Sequence, residues 1–428
     1  MLILDKSNIV AYLKEHMPEV DFSGDVEITA IGDGSQSAEE AGDGYVNFIF
    51  IVKTKDDSIV VKQSRQNSRM TGNEMPLYRN HLEFDAMKLF GAIAPDYVPK
   101  VYFIDDENRV FAMEDASLNN RMITRFQLNN NRVFPKLAEQ VGEYLADTGF
   151  YTSELYLGTP DFRALTCRFM NADMRPIMED GLFIYKFWTP YDPSLGEEFL
   201  TFAKDISEDP AFLTERHKMR HIYMSKTECL IHADLHTSNL FTGFDSLKVI
   251  DMEFTFCGPF SYDLGYLIGN LVSQYASACY RDFESEEERT SFKAYLLTTI
   301  ANLYESYVTR FCDNWNKDGK EIYQNVVGLQ EAFKKNVLFE MPGFASIVNW
   351  FRVAGEIPYP DFEMITDLDK KRDAMALSLM MDWQFMFNRY NYESVQDMID
   401  DILYVEKKYA ASKKWVKPAV PVAKTEEK

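Results

Sequence analysis

The chain has 428 residues, of which 46% are hydrophobic, 14% aromatic and 26% charged, so a folded protein is expected and extensive disorder is excluded. Its formal net charge of −22 would repel nucleic acids and anionic membranes, and it argues against both as partners. Five cysteines without a CxxC pair, no signal peptide and no apolar run of bilayer length predict a cytoplasmic protein without disulfides.

The amino-terminal region has the pattern of a small β-rich lobe. Residues 1–20 show the apolar spacing of an amphipathic helix, and a second helix is predicted over 82–91. A segment of small and polar residues, 34–42, is predicted to be a loop. Runs of apolar residues bounded by turn-forming sequences predict five strands, at 26–31, 46–52, 58–63, 100–104 and 109–113.

The remainder of the chain is dominated by helical periodicity from residue 130 onward, apart from a β-like stretch at 229–254. The sequence therefore predicts an α+β fold with two lobes: a β-rich lobe over 1–115 and a larger, mainly helical lobe over 116–412. Residues 413–428 are rich in proline and charge, which predicts a flexible tail.

The strongest chemical motif is IHADLHTSNLF, residues 231–241. It contains His232, Asp234 and Asn239 in the spacing H-x-D-x-x-x-x-N, which protein kinases use for the catalytic loop. In that loop the aspartate orients the substrate hydroxyl and the asparagine binds a metal ion. The motif alone also fits a solvated loop, so a second motif is needed to support the interpretation.

That second motif is VIDMEF, residues 249–254, which follows a predicted hairpin with its turn at 243–246. The hairpin would return Asp251 to the neighbourhood of Asn239. Asp251 and Glu253 are two residues apart and so share one side of an extended chain. Because Mg²⁺ prefers carboxylate oxygens, we expect Asn239, Asp251 and Glu253 to bind Mg²⁺.

Lys62 ends the apolar run SIVVKQ and is expected to contact the phosphates of ATP, as the strand lysine of kinases does. A lysine at the edge of a sheet, with its ammonium group in water, is the alternative. The lysine of kinases forms an ion pair with an acid on the next helix. Glu83 and Asp85 both qualify, and their spacing does not decide between them.

Two further segments fit nucleotide binding. Gly42, Gly44 and Asn47 form a partial glycine-rich loop ahead of the lysine strand, where backbone N–H groups can approach phosphate closely. The strand VFAMEDAS, residues 110–117, ends where kinases place adenine against the hinge backbone. Asp263 follows these motifs and is interpreted as a brace for the catalytic loop or as a helix cap.

Taken together, GDGYVNFIF, VVKQ, AMEDAS, IHADLHTSNLF and VIDMEFTFCGPFSYDLG resemble the aminoglycoside-phosphotransferase-like kinases, which have the bilobal protein-kinase-like fold. Within them the chain is most similar to the methylthioribose kinase family. TGNEMPLYRNHLEFDAM, GFYTSELYL, RFMNADM and GFASIVNWFRVAG also resemble segments of that family, so the similarity extends over most of residues 25–390.

The resemblance implies transfer of the ATP γ-phosphate to the 1-hydroxyl of S-methyl-5-thioribose in methionine salvage, with Mg²⁺ as cofactor and a cytoplasmic homodimer. It implies these roles for residues of this chain: catalytic, Asp234; metal-binding, Asp251 and Glu253; nucleotide-binding, Gly42, Gly44, Asn47, Lys62, Met113, Glu114 and Ala116.

Three departures from the family pattern concern the substrate. Phe351-Arg352 stands where the family has two arginines, so the expected substrate residues are Arg352, Phe351 and Met75, the last in a loop where the family has tryptophan. Asn239 stands where the family has serine. Another 5-modified pentose, an aminoglycoside and an amino alcohol such as choline therefore remain alternative acceptors. A catalytically inactive nucleotide-binding regulator is a third reading, which the complete motif set argues against.

Overall fold

One antiparallel sheet of five strands contains most of the strand-forming sequence near the amino terminus. The structure is a computed structural model that describes residues 1–31, 47–67, 74–185, 187, 193–355, 360–412 and 415–420. The strands follow the order β1-β2-β3-β5-β4, and every neighbouring pair is antiparallel. They are Glu27–Ala30 (β1), Phe48–Lys53 (β2), Ser58–Gln63 (β3), Val101–Asp105 (β4) and Val110–Glu114 (β5). The five predicted strands are thus confirmed, with bounds that differ by one or two residues.

The two faces of this sheet are covered by different helices. On one face, Val61 of β3 joins an apolar core that also contains Ile9 and Leu13 of the helix Ile9–His16 (α1). Side chains alternate along a strand, so Lys62 lies on the opposite face from Val61. The helix Arg79–Ile93 (α2) packs on β4 and β5. Both predicted helices are confirmed, α1 being shorter than the amphipathic pattern.

The described residues divide into two compact units. Unit 1 consists of Met1–Phe126, Asn171–Met174 and Thr237–Thr255, and unit 2 of Gln127–Met170, Arg175–His236 and Phe256–Lys428. Unit 1 also holds a three-stranded sheet made of Met122–Ile123 (β6), Leu240–Thr242 (β8) and Leu247–Val249 (β9). The lobe boundaries inferred from sequence stay predictions.

Unit 2 is mainly helical, and its only strands among the described residues are Cys229–Ile231 (β7) and Phe256–Gly258 (β10), which pair antiparallel. The short helix Thr124–Asn129 (α3) links the two units along the chain. The helices of unit 2 are Leu137–Tyr151 (α4), Glu154–Leu157 (α5), Thr159–Arg168 (α6), Gly196–Ser207 (α7), Pro210–Ser225 (α8), Tyr262–Ala278 (α9), Glu286–Asp318 (α10), Glu321–Gln324 (α11), Leu329–Ala354 (α12), Leu368–Asn388 (α13) and Val395–Ser412 (α14). A π-helical turn covers Ile177–Tyr185, and short 3-10 turns cover Pro193–Leu195, Pro360–Phe362 and Arg389–Asn391. The predicted fold class, a small β-rich part followed by a larger helical part, is confirmed.

Two glycines let helices α9 and α12 approach each other closely. A Cβ atom at Gly265 would lie 2.6 Å from the carbonyl oxygen of Met341, and one at Gly269 would lie 2.7 Å from that of Ala345. Any larger side chain would separate the helices. This close packing fixes the two helices relative to each other. It therefore also fixes the side chains that lie within about one helical turn of these contacts.

The carboxyl-terminal segment 415–420 has no regular secondary structure, yet its aromatic residue, Trp415, packs against other parts of unit 2. Trp415 donates a hydrogen bond from Nε1 to Asp373 (2.8 Å) and packs edge-on against Phe199. Residues 413, 414 and 421–428 of the predicted tail lie outside the described part. Among the described residues, no helix is both long enough and apolar enough to cross a bilayer.

Candidate active site

Lys62 lies in a buried ion-pair cluster of unit 1. Its side chain is 3% exposed, and its ammonium group lies 2.8 Å from the carboxylate of Glu83 and contacts that of Asp251. Asp85, the other candidate partner, instead lies 3.7 Å from the ring of His81. The structure therefore selects Glu83, and Lys62 is not a solvated edge lysine.

Glu253 belongs to the same cluster and is held by two polar side chains. The amide of Asn47 donates to its Oε2 at 2.9 Å, and Nε of Arg79 lies 3.3 Å from that oxygen. Arg79 also donates to Oδ1 of Asn47 at 2.9 Å, so the three side chains form a closed network. Asn47 was singled out for nucleotide binding, whereas Arg79 carried no signal in the sequence because an arginine at the start of a helix is common.

The charges in this cluster do not balance. One carboxylate oxygen from each of Glu83, Asp251 and Glu253 lies within 4.8 Å of the other two, and in the part of the chain that the structure describes Lys62 and Arg79 form ion pairs with this cluster. Burial lowers the pKa of Lys62, but the three carboxylates outweigh burial and raise that pKa above its ordinary value. Burial and, after it, repulsion by Asp251 raise the pKa of Glu253. With all five groups ionised, the cluster carries one formal negative charge in excess. Burial raises the pKa of Glu83 to about 8, which reduces that excess at neutral pH, and an additional cation would favour the ionised form.

The hairpin after the catalytic loop is formed as the sequence predicted. Leu240 of β8 pairs with Val249 of β9, and the N–H of Ile250 donates to the carbonyl of Asn239 at 3.0 Å. Asp251 follows with a φ of +69°, in the left-handed region that non-glycine residues rarely adopt. Such backbone strain persists where surrounding structure imposes it, and it is frequent at functional sites.

Asn171 stabilises the chain that follows Asp251. Its side-chain amide donates to the carbonyl oxygens of Glu253 at 3.1 Å and Thr255 at 3.0 Å. Carboxylate oxygens in close proximity, with excess negative charge and fixed backbone, are the donor set that a hard divalent cation such as Mg²⁺ requires. The residues present therefore fit the metal that the sequence analysis inferred.

The catalytic loop is braced in unit 2 by Asp263, the second residue of α9. Its two carboxylate oxygens accept the N–H groups of His232 (2.6 Å) and Ala233 (2.9 Å). Ala233 has a φ of +67°, so the Asp263 side chain stabilises a strained turn next to Asp234. Burial raises the pKa of Asp263, to about 7, although both hydrogen bonds oppose the change. These hydrogen bonds confirm the interpretation of Asp263 as a brace.

Asp234 is surrounded by hydrogen-bond donors and positive charge. The hydroxyl of Tyr266 donates to its Oδ1 at 2.7 Å, Arg352 lies 3.4 Å from the same oxygen, and Nε2 of His236 lies 3.6 Å from Oδ2. Burial would raise the pKa of Asp234, but His236, Arg352 and the Tyr266 hydroxyl outweigh burial and lower it. Asp234 is therefore an ionised carboxylate at neutral pH.

The remaining predicted residues are placed as follows. Met113 and Glu114 end β5, and Glu114 accepts the backbone N–H of Lys100 at 3.1 Å. Ala116 follows them and is buried, and the backbone of Met75 bonds to the carbonyl of Gln66. Phe351 is buried in α12, with its ring 5.0 Å from the guanidinium carbon of Arg352. Gly42 and Gly44 lie outside the described residues.

Two residues that contact Asp234 were not predicted from the sequence. His236 stands inside the quoted motif, two residues after Asp234, so its proximity was available from the spacing. Tyr266 lies one helical turn after Asp263, and that spacing was a usable signal because Asp263 was already expected near the loop.

Comparisons with known proteins agree with this geometry. The model of the phosphotransferase enzyme family matches residues 182–303, a range that includes Asp234, Asp251 and Glu253. The methylthioribose kinase of Bacillus cereus (strain ATCC 10987 / NRS 248) is 32% identical over 345 residues, covering 80% of this chain and 84% of that protein. That of Exiguobacterium sibiricum is 30% identical and covers 81% and 88%, and methylthioribose kinase 2 of Oryza sativa subsp. japonica is 29% identical and covers 92% and 94%.

A solved structure of amicoumacin kinase hAmiN, in complex with AMP-PNP, Ca²⁺ and Ami, is 14% identical, with a TM-score of 0.41 and coverage of 92% of this chain and 95% of that one. Similarity at that level supports no inference about function.

The matched family model and the methylthioribose kinase relatives identify the chain as a phosphotransferase that uses ATP and acts on an alcohol group of a small molecule. Within that class, the chain belongs to the methylthioribose kinase family. The resemblance inferred from the sequence motifs is thus confirmed.

Proposed function

We propose that the chain phosphorylates the 1-hydroxyl of S-methyl-5-thioribose with ATP, as a step of methionine salvage. The observation that carries the proposal is the ionised, partly exposed Asp234 beside Arg352, in a chain whose relatives are named methylthioribose kinase. An ionised carboxylate accepts a hydrogen bond from an alcohol, and a guanidinium group can donate to sugar hydroxyls.

Asp234 is the catalytic residue of this proposal. Its carboxylate orients the 1-hydroxyl for attack on the γ-phosphorus. It accepts the hydroxyl proton as the new O–P bond forms and the bond from the γ-phosphorus to the β–γ bridging oxygen breaks, which releases ADP. Its lowered pKa favours orientation over strong basicity, because a weakly basic carboxylate does not remove an alcohol proton in advance. This suits phosphoryl transfer, in which the protein contributes mainly by positioning and charge stabilisation.

The nucleotide is assigned to residues of unit 1. Lys62, held by Glu83, would contact the phosphates, and Gly42, Gly44 and Asn47 would approach them through backbone N–H groups. The backbone of Met113, Glu114 and Ala116 would accept adenine.

Asp251 and Glu253, with Asn239 nearby, would hold Mg²⁺. When bound, the metal neutralises charge on the β- and γ-phosphates. The excess negative charge of the carboxylate cluster supports this assignment, because a divalent cation offsets it.

The acceptor is assigned to Arg352 and Phe351 of unit 2, and the family resemblance adds Met75. Arg352 would donate to the sugar hydroxyls and offset charge on the transferring group. Phe351 would pack against the methylthio end, and Met75 would contribute an apolar contact. The proposal also includes a cytoplasmic location and a homodimer, with neither nucleic acid nor membrane as a partner, in keeping with the net charge of −22.

An acceptor panel tests the proposal. Purified protein with ATP and Mg²⁺ is assayed on S-methyl-5-thioribose, ribose, choline and kanamycin, and the product is examined by ³¹P NMR. We expect S-methyl-5-thioribose to give the highest kcat/KM, with the phosphorus coupled to the anomeric proton. Choline and kanamycin test the alternative that the acidic surface attracts a cationic acceptor. A higher kcat/KM for either of them, or phosphate on another carbon of the sugar, would contradict the assignment.

A further inference from the structure

We propose that Tyr266 is a positioning residue, whose phenol group fixes the orientation of the Asp234 carboxylate and connects it to Arg352. The proposal rests on the proposed function only in taking Asp234 as the acceptor of the substrate hydroxyl. It does not depend on which alcohol is phosphorylated.

The direction of each hydrogen bond at Tyr266 is fixed by chemistry. Its hydroxyl lies 2.9 Å from NH2 of Arg352 and 2.7 Å from Oδ1 of Asp234. A guanidinium group only donates, and an ionised carboxylate only accepts. The phenolic oxygen therefore accepts from Arg352, and the phenolic proton points at Asp234. This single arrangement leaves the hydroxyl no second orientation that satisfies both neighbours.

The phenol is a stronger link to Asp234 than the arginine is. Arg352 lies 3.4 Å from Oδ1 of Asp234, beyond the usual 2.7–3.2 Å range of an N–H···O hydrogen bond. The Tyr266 hydroxyl lies 0.7 Å closer to that oxygen than the guanidinium does. Much of the influence of Arg352 on the orientation of Asp234 consequently passes through Tyr266.

The position of the phenol is rigid. Tyr266 is fully buried, and its ring packs edge-on against that of Tyr262, with centroids 5.9 Å apart. The residue stands on α9 directly after Gly265, one of the two glycines at which α9 closely approaches α12, the helix of Arg352. Helix packing therefore sets the distance between Tyr266 and Arg352, and the hydroxyl cannot move away from Asp234 without moving the helix.

The two carboxylate oxygens of Asp234 consequently have different roles. Oδ1 accepts the phenolic proton of Tyr266, whereas Oδ2 faces Nε2 of His236 at 3.6 Å. We assign Oδ2 to the substrate hydroxyl and Oδ1 to orientation. Loss of the phenolic hydroxyl should let the carboxylate rotate, which lowers kcat while nucleotide binding in unit 1 is unaffected.

Tyr266→Phe tests the proposal because it removes the hydroxyl and keeps the ring. We expect kcat to fall about 10–100-fold, the range for a lost hydrogen bond to a charged group, and KM for ATP to change less than about two-fold. The pH profile gives a second readout. Loss of a donor to the carboxylate raises the pKa of Asp234, so the acid limb of kcat/KM should move to higher pH.

Other groups near Asp234 stay unchanged in this variant, so the pH shift can be attributed to the hydroxyl. The titratable or charged groups that interact with Asp234 are His236 of its own loop, Tyr266 and Asp263 of α9, Arg352 of α12 and Tyr223 of α8. Their side chains are the same in Tyr266→Phe except for the deleted oxygen.

Tyr307→Phe is the matched control. The Tyr307 hydroxyl is also buried in unit 2, but it donates to the backbone carbonyl of Phe260 at 3.0 Å. We expect this variant to lose thermal stability without a change in kcat or in the pH profile. If Tyr266→Phe behaves in the same way, Tyr266 is a packing residue and the proposal is wrong.

If Tyr266→Phe does not fold, 3-fluorotyrosine at position 266 replaces it, since fluorine barely alters the shape and makes the phenol a stronger donor. The acid limb should then move to lower pH, and an unchanged profile overturns the proposal.

Failure of the proposed substrate is distinguishable from failure of this inference. Each variant is assayed on whichever alcohol the wild-type protein phosphorylates best, and on the slow hydrolysis of ATP, in which water replaces the alcohol. A kcat loss with another alcohol rejects S-methyl-5-thioribose but supports Tyr266, whereas an unchanged kcat and profile reject Tyr266 alone.

Discussion

The carboxylate cluster of unit 1 and the carboxylate of Asp234 in unit 2 lie in opposite electrostatic environments. In unit 1, Glu83, Asp251 and Glu253 crowd around two cationic side chains, and negative charge is in excess. In unit 2, Asp234 is one carboxylate among several donors, namely Arg352, Tyr266 and the ring of His236.

This difference appears in the direction of the pKa shifts. Burial and mutual repulsion raise the pKa of Glu83 and of Glu253, whereas in unit 2 the donors overcome burial and lower that of Asp234. Burial is common to both sites, so the neighbours decide the sign. A crowded carboxylate cluster is suited to recruiting a cation, and a carboxylate surrounded by donors is suited to staying ionised while it orients a hydroxyl.

The largest expected effect comes from neutralising the carboxylate of unit 2. Asp234→Asn should lower kcat by about 10²–10⁴-fold, the range for removing a general base, and should leave the Kd for ATP within a few-fold. Steady-state kinetics and calorimetric titration with an ATP analogue measure the two quantities. Turnover close to that of the wild-type protein would refute the catalytic assignment.

The second-largest expected effect concerns the carboxylate cluster of unit 1. Asp251→Asn removes one carboxylate from the crowded cluster, so we expect the Mg²⁺ concentration for half-maximal activity to rise at least about 10–100-fold, the range for losing groups that only orient metal ligands. A titration of activity with Mg²⁺ measures it.

Asp245→Asn is the control for this variant, because Asp245 is exposed at the turn of the same hairpin. An unchanged Mg²⁺ requirement in Asp251→Asn, or an equal change in the control, would place the metal elsewhere.

The sequence predicted the residues whose chemistry depends on short spacings. Asp234 and Asn239 share one loop, and a hairpin of about ten residues returns Asp251 to that loop, so local turn chemistry sufficed. Lys62 followed from its position at the end of the apolar run SIVVKQ. For these residues the pattern of apolar and turn-forming positions determines the local geometry.

The remainder of the site depends on long-range packing, which a single sequence does not display. Arg352 meets Tyr266 across 86 residues, and only the close approach of α9 to α12 at Gly265 and Gly269 brings them together. The choice between Glu83 and Asp85 was open for a related reason. Two residues along a helix differ by about 200° in direction, so the face that packs on the sheet decides, and that face is a tertiary property.

A smaller effect tests that choice in unit 1. Glu83→Gln leaves Lys62 without its buried charged partner on α2, so we expect KM for ATP to rise about 10-fold, in line with the loss of one hydrogen bond to a charged group. Asp85→Asn, two residues away and facing His81, should leave KM within about two-fold and serves as the matched control. Equal KM values in the two variants would contradict the role of the Lys62–Glu83 pair in nucleotide binding.

The smallest effect concerns pH and the donors of unit 2. Apart from burial, which acts in the opposite direction, His236 is the foremost cause of the lowered pKa of Asp234. His236→Asn should therefore raise that pKa and move the acid limb of kcat/KM to higher pH. At pH 8 Asp234 is ionised in both proteins, so kcat there should stay within a few-fold.

The same pKa difference affects the thermal stability of the two proteins. A carboxyl with a lower pKa in the folded state stabilises the fold above its unfolded pKa of about 4, and this contribution is lost as the pH falls further. The variant should therefore lose less thermal stability than the wild-type protein as the pH falls below about 4, because less of that contribution is present to be lost. Parallel pH profiles of kcat/KM and of Tm measure both changes. Superimposable profiles would show that Arg352 and Tyr266 alone keep Asp234 ionised, and the contrast between the two clusters would then rest on those two side chains.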